Sequence, residues 1–395
     1  MLERNRIVEF QPTTLNERID SLDVIRGFSL FGILLVNMFA FYLPMPHIDL
    51  QNWFSDAIDI IWHQTLDIYV QSSFYPLFSI LFGYGMAMQY LKAQNSGAPF
   101  YTFARKRLII LFVLGMFHAI FIWWGDILAM YAFCGLFLIL FIRLNPKSIL
   151  TSGLIIYGLM HVLFISAYIM TGIANTEVEA MAVDIVMVES AITAYGIGSW
   201  ADAFSQRLND LSIQMGPAMW ISALFTILPY MLIGAAFAKW RLIERAKELK
   251  VLWLIIAAIG IGVGLFIKSA PFLYERTYLL EYLKVYIGGP ILSLGYMALI
   301  VSICMIPLMT KILHPISLAG RMSLTIYIMQ SIICTIIFYD FGFGLYGQIN
   351  VQMSVLIAIV IFIVQLIFAL IWFMKFKQGP LEAMVKRLIY RKKTL

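Results

Sequence analysis

Leu22–Tyr42 reads LDVIRGFSLFGILLVNMFAFY. At 1.5 Å per residue this apolar run is about 30 Å long, the thickness of a bilayer's hydrocarbon core. An inert anchor of that length needs no polar residues, yet this one carries Asp23 and Arg26 in its first turn and Asn37 near its far end. Desolvating an amide without a partner costs roughly 1–3 kcal/mol. Asn37 is therefore expected to face protein, a ligand or water, in an interior that the rest of the chain supplies. Asp23 and Arg26 stand one helical turn apart. They read either as an N-cap carboxylate paired with a snorkelling anchor, or as a site where Arg26 clamps a phosphate or carboxylate at the cytoplasmic mouth.

The composition extends that reading to the whole chain. Its 395 residues are 62% hydrophobic and 13% charged, with a mean hydropathy of +0.87. These values indicate an all-α, polytopic integral membrane protein. The net charge of +6 is no nucleic-acid footprint, because most basic residues lie in short loops between apolar runs. Cys134, Cys304 and Cys334 all sit inside apolar runs, with neither metal-ligand spacing nor a disulfide framework. About twenty polar residues precede the first apolar run, which argues against a cleavable signal peptide.

Ten membrane-spanning helices are expected, at about 22–43, 66–91, 108–124, 127–142, 149–172, 217–238, 251–270, 285–306, 321–340 and 352–374. They group as an N-terminal membrane half (1–172, holding the core of the site), an external loop with surface helices (173–216), a C-terminal membrane half (217–378) and an amphipathic cytoplasmic tail (379–395). An interfacial helix is expected around Trp53–Trp62, and residues 1–21 are expected to be partly ordered against the membrane face. With the N-terminus inside, 24 of the 28 Lys and Arg residues fall on the cytoplasmic side; Arg207, Lys268, Arg276 and Lys284 fall outside. That bias places both termini in the cytoplasm. In the tail, Leu381, Met384, Val385, Leu388 and Ile389 form one helical face and Lys386, Arg387 and Arg391 flank it, the pattern of an interfacial helix.

Chemistry is expected where ionisable groups enter the apolar runs, since such groups are expensive in a membrane. His118, in LGMFHAIFIWWGDIL, lies about two turns before the external end of its span. Asp126 follows a Gly that folds the chain back, so it reads as an N-cap for the next helix or as a carboxylate holding His118 as a general base. Arg321 opens GRMSLTIYIMQS, where Gln330 is nine residues on, near mid-membrane. This series reads as a lined cavity or as interhelical hydrogen bonding. His161 reads as structural, and His47, ten residues past Asn37, is a secondary base candidate. No Walker A, GxSxG, HExxH or Rossmann pattern occurs, which argues against an ATP-driven pump.

Taken together, these motifs resemble the YeiB-like family of bacterial multi-pass membrane proteins. The matching residues are Leu22-Asp23-x-x-Arg26-Gly27 with Asn37; Leu77-Phe78-Ser79-x-Leu81-Phe82-Gly83; His118 with Gly125-Asp126-Ile127-Leu128; Gly320-Arg321-Met322-x-Leu324-Thr325-x-Tyr327-x-x-Gln330; and Gln378-Gly379-Pro380-x-Glu382. Ile326 and Ala383 depart from the usual pattern, which has Asn and Trp there. The family is itself similar to transmembrane acyltransferases such as heparan-α-glucosaminide N-acetyltransferase, with its Asp-x-x-Arg-Gly start, a following Asn and a His about ten residues on. Asn37 matches that Asn. His47 falls one residue off that His and lies outside the YeiB-like pattern, which contains His118.

The resemblance implies a bacterial cytoplasmic-membrane acyltransferase. Acyl-CoA or acetyl-CoA would be the co-substrate, held at the inner face by Asp23, Arg26, Arg321 and Gln330. His118, Asp126, Asn37 and His47 would be the catalytic candidates. The acceptor would be a small molecule, lipid or glycan at or beyond the outer face, with membrane lipids as surroundings, no metal and no nucleic acid; a homo-oligomer is left open. The alternative is a transporter or exporter of a small or amphiphilic molecule, with the same polar residues lining a pathway.

Overall fold

A backbone in hydrocarbon must satisfy its own hydrogen bonds, and an apolar chain does so by coiling into helices. The computed structural model describes residues 18–179 and 183–390, and these are all-α, with one isolated bridge between Glu177 and Thr277. Six helices are long and apolar enough to cross a membrane: Asp20–Tyr42, Pro146–Met170, Pro217–Lys239, Lys250–Leu273, Tyr278–Cys304 and Val351–Lys375. His314–Arg321 and Ser323–Phe338 meet at 88° and, taken as one bent span, make a seventh. The expected order within residues 379–395 and 1–21 is described only in part, because residues 1–17 and 391–395, with Arg4, Arg6 and Arg391, lie outside the described residues.

Besides the bent ninth, three of the ten expected spans differ from simple crossings. The second does not begin at residue 66. Ala57–Tyr69 is a separate helix, and Phe74–Ser96 starts only after a turn in which Ser72 takes a left-handed φ of 61°. Lys268 holds that turn, donating to the Gln71 carbonyl and, at 3.0 Å, to Ser73 Oγ. The third, Phe100–Phe121, carries Arg105, Lys106 and Arg107 in its first half. The fourth, Leu128–Phe141, has 14 residues. At 1.5 Å each it rises about 20 Å, short of a hydrocarbon core of about 30 Å.

The connecting segments gather at two ends. At the cap end, Asp340 donates its N–H to the Tyr195 carbonyl at 2.8 Å, Gly347 to Tyr42 at 2.8 Å and Val351 to the Asp59 carboxylate at 2.9 Å. The interfacial segment near Trp53 is here as Leu50–Trp53 and Ala57–Tyr69, and the external loop supplies helices Ile185–Gly196 and Trp200–Gln214. Arg207, Lys268, Arg276 and Lys284, the four cations that the charge bias sets apart, all bond at this end. At the opposite, basic end, the C-terminal helix Pro380–Tyr390 lies against the start of Phe100–Phe121.

Asp20–Tyr42 is an interior helix: 67% of its apolar window is buried, against 11% for Pro146–Met170. Its foot packs on His314–Arg321 backbone to backbone, Gly27 on Ile316 and Gly320 on Asp23, with no room for a Cβ at either glycine. Glu189 at the cap end and Lys247 at the basic end are both exposed. Glu189→Cys and Lys247→Cys are expected to react with a membrane-impermeant maleimide from opposite sides in oriented vesicles. Labelling of both from one side would refute the two-ended arrangement.

Candidate functional site

His118 and Asp126 meet in the interior. Phe100–Phe121 ends one turn after His118, whose carbonyl accepts the N–H groups of Ile122 and Trp123 at 2.9 and 3.0 Å, so the chain turns back at once. Gly115, one turn before His118, leaves room for Asp126 and the Ala129 backbone against the helix. Asp126 then does two things. Its Oδ1 accepts the Ala129 N–H at 2.8 Å, capping the start of Leu128–Phe141, and its Oδ2 lies 2.8 Å from His118 Nδ1. One carboxylate thus both caps the next helix and holds the His118 ring. Both side chains are fully buried, and the carboxylate at Nδ1 fixes the ring proton there, leaving Nε2 as the free acceptor. Nε2 has no partner among the described residues.

Tyr327 completes the cluster. Its hydroxyl lies 3.4 Å from Asp126 Oδ2 and accepts the Ile127 N–H at 3.2 Å, and its ring centroid is 5.2 Å from that of His118. Trp123 packs on the other side, 6.5 Å from the imidazole, with a buried Nε1 that also lacks a partner among the described residues. Trp123 to Asp126 in this turn are buried, and irregular backbone away from water survives only where protein satisfies its polar groups. Helix Trp200–Gln214 covers the turn. The buried Arg207 donates to the Phe121 and Ile120 carbonyls at 3.0 and 3.3 Å, closing the end of the His118 helix with positive charge.

Asn37 shares a face of the first helix with Leu30 and Phe41, seven residues before and four after. Phe41 stacks on Trp123 at 4.1 Å, and the Leu30 carbonyl accepts from Gln330 Nε2 at 3.3 Å. Asn37 is half-buried between these packed neighbours and makes no hydrogen bond among the described residues. It stands eleven residues beyond Arg26, and His118 stands eleven beyond Arg107. Arg107 is within electrostatic reach of Arg26. Both helices therefore carry an arginine at the foot and a free polar group three turns, about 16 Å, above it.

At the basic end Asp23 accepts from Arg26 at 2.7 Å and from Arg18 at 3.2 Å, so the Asp23–Arg26 pair exists, with Arg26 still partly exposed. The Arg321 guanidinium lies 4.5 Å over the Phe373 ring, its Nε is unpartnered among the described residues, and it feels the charges of Arg18 and Asp23. Gln330 is engaged elsewhere, bonding Leu30 and Gln365, so its amide ties helices together. His47 sits apart in the cap. It lies 3.0 Å from Asp210, which also accepts from Gln206 at 2.9 Å and Tyr195 at 2.7 Å. Burial, the stacked Tyr339 and Asp210 push the Tyr195 hydroxyl far above its usual pKa, so it remains a donor. His161 lies 2.6 Å from the Tyr282 hydroxyl.

Sequence reasoning placed Tyr327 in the polar series after Arg321 and Glu382 in the Gln378-Gly379-Pro380 motif without assigning either a partner, and it gave Trp123 no role. The signal for Tyr327 was its spacing, three residues before Gln330 and so on the same face. Glu382 reaches from the C-terminal helix to the start of Ser323–Phe338. It accepts the Leu324 N–H at 2.7 Å, the Thr325 N–H at 3.2 Å and the Thr325 hydroxyl at 2.6 Å. The N-cap residue of that helix, Met322, offers no capping oxygen of its own. Burial raises the Glu382 carboxyl above its usual pKa against these donors.

The fold and the buried site define a polytopic α-helical membrane protein, and comparisons with known proteins place it further. The chain belongs to the YeiB-like family. Residues 237–392 match the family described as "Protein of unknown function (DUF418)". The chain is 35% identical over 390 residues to the uncharacterized protein YxaH of Bacillus subtilis (strain 168), covering 94% of each chain. It is 27% identical over 394 residues to the uncharacterized protein YeiB of Escherichia coli (strain K12), covering 95% of this chain and 97% of that one. It is also 26% identical to an uncharacterized 39.9 kDa protein in the amylase 3′ region of Bacillus acidopullulyticus, covering 97% and 96%.

Glu382→Ala is expected to lower the melting temperature in detergent, since losing a helix cap costs about 1 kcal/mol, and Glu382→Gln is expected to recover part of it. A melting temperature for Glu382→Ala equal to wild type would remove the capping role.

Proposed function

We propose that the protein is a membrane-embedded acyltransferase that takes an acyl group from acyl-CoA at the basic, cytoplasmic end and passes it to an acceptor hydroxyl or amine at or beyond the outer face. The observation that carries this reading is the buried His118–Asp126 pair with its free Nε2; the unengaged Asn37 stands, like His118, eleven residues beyond an arginine. Arg26 and Arg107 lie about 16 Å below, a span comparable to an extended pantetheine arm. Topologically, the reading takes ten crossings with both termini in the cytoplasm, at the bacterial cytoplasmic membrane.

In the reaction, His118 Nε2 accepts the proton of the acceptor as its oxygen or nitrogen attacks the thioester carbonyl. The new C–O or C–N bond forms, the C–S bond breaks, and the CoA thiolate leaves, taking the proton back from the imidazolium. Asp126 holds the ring and stabilises its charged form. The Asn37 amide donates to the carbonyl oxygen as negative charge grows there. Arg26 and Arg321, with Arg107, take the CoA phosphates; guanidinium groups suit that task because they grip phosphate with two parallel bonds.

His118→Gln tests the chemistry. General-base catalysis is typically worth about 10²–10⁴ in rate, so acyl transfer by the purified protein should fall by that order while melting temperature and acyl-CoA binding stay near wild type. Full activity of His118→Gln would reduce His118 to a packing residue. No acyl transfer by wild type, combined with solute flux in vesicles, would instead support the transporter alternative.

The donor site is tested separately by calorimetry. Arg26→Ala and Arg321→Ala are each expected to weaken acyl-CoA binding, with lysine replacements recovering only part of it. Unchanged binding in both alanine variants would exclude the phosphate clamp.

A further inference from the structure

The helix that ends the described chain, Pro380–Tyr390, has two differently occupied sides. Inward, Val385 is buried, Glu382 holds the start of Ser323–Phe338, and Leu381 donates its N–H to Thr325 Oγ1 at 3.2 Å. Further along, the Ile389 carbonyl accepts from Lys106 Nζ at 2.8 Å and the Tyr390 ring lies 5.7 Å from that of Phe103. The helix therefore joins the feet of two helices, one bearing His118 and the other Tyr327. Outward, Met384 and Leu388 are 39% and 43% exposed, and Arg387 lies beside them.

The neighbouring end of Val351–Lys375 has the same character. Met374 and Phe376 are 83% and 50% exposed, and Lys375 and Lys377 are exposed next to them. Among the described residues, Lys375, Lys377, Lys386 and Arg387 have no carboxylate partner. Lys386, Arg387 and Tyr390 also line a depression of about 730 Å³ beside the helix. Exposed apolar side chains continuous with a membrane-crossing helix call for acyl chains, and four cations without a carboxylate partner among the described residues in the same two segments call for anions. One surface meets both demands, the headgroup layer of an anionic leaflet.

We propose that Pro380–Tyr390 docks on anionic phospholipid at the basic end of the bundle. Met384 and Leu388 enter the acyl-chain boundary, and Lys375, Lys377, Lys386 and Arg387 take headgroup phosphates. The charge of the leaflet then decides how firmly this helix clasps the feet of the two site-bearing helices. This assignment is independent of the acyl-transfer reaction.

The full-length chain is tested in nanodiscs with an environment-sensitive fluorophore on Leu388→Cys, with Cys134, Cys304 and Cys334 replaced by Ala. Adding phosphatidylglycerol to phosphatidylcholine discs is expected to shift the emission to the blue and to strengthen quenching by nitroxide-labelled lipid, and salt is expected to reverse both. Each exposed cation near an anionic surface is worth about 1 kcal/mol, roughly a fivefold change in apparent lipid affinity. The combined Lys375→Gln, Lys377→Gln, Lys386→Gln and Arg387→Gln variant should therefore lose the response over the same lipid range. Identical emission in both discs, or a full response in the four-fold variant, overturns the proposal. So does the same shift produced by inorganic phosphate in phosphatidylcholine discs, which would mark a soluble-anion site, or a shift that follows protein concentration, which would mark a second copy as the partner.

Discussion

A protein interior offers no water to bond freed backbone groups, and this chain makes a turn inside one. The backbone from Ile122 to Ile127 leaves helical geometry among mostly buried residues, and each freed group needs a protein partner. Ala129 finds the Asp126 carboxylate, Ile127 finds the Tyr327 hydroxyl, and the carbonyls of Ile120 and Phe121 find Arg207. Removing any one of these would strand a buried group at about 1–3 kcal/mol. The cap helix Trp200–Gln214, the close approach at Gly115 and the placement of Tyr327 can all be read as conditions for that turn to exist.

The same accounting separates structural polar groups from available ones. Gln330, Gln365, Asp210 and His47 spend their hydrogen bonds on one another or on backbone, and so act as ties between helices. His118 Nε2 and the Asn37 amide do not. A buried group with an unused hydrogen bond is costly unless something else fills it. On this ground His118 Nε2, fully buried, is set apart from His47, whose ring is held by Asp210.

The two ends of the bundle handle charge differently. At the cap end, cations are buried and matched: Lys284 lies 2.6 Å from Asp67 and 2.7 Å from Glu281, and the carboxyl of Asp67, despite its burial, is held below the usual range by the Lys284 charge. At the basic end, arginines outnumber carboxylates around Asp23, and the outer cations of the C-terminal helix have none. Matched charge builds a lid, and surplus charge leaves a surface for anions.

Sequence alone determined the helical class and the membrane setting and singled out Asp23, Arg26, Asn37, His118 and Asp126 for attention, because hydropathy and the cost of burying polar groups are properties of residue type and spacing. It also separated Arg207, Lys268, Arg276 and Lys284 from the other cations, since loop charge needs no knowledge of packing. Only the tertiary structure decided what those groups do. That Asp126 serves His118 and Ala129 together depends on the Gly115 contact. That Gln330 is occupied depends on Gln365, 35 residues away. That Glu382 caps a helix beginning at Ser323 depends on a packing 57 to 58 residues apart in sequence. Hydrogen-bond satisfaction is a pairwise, three-dimensional quantity, and no local pattern carries it.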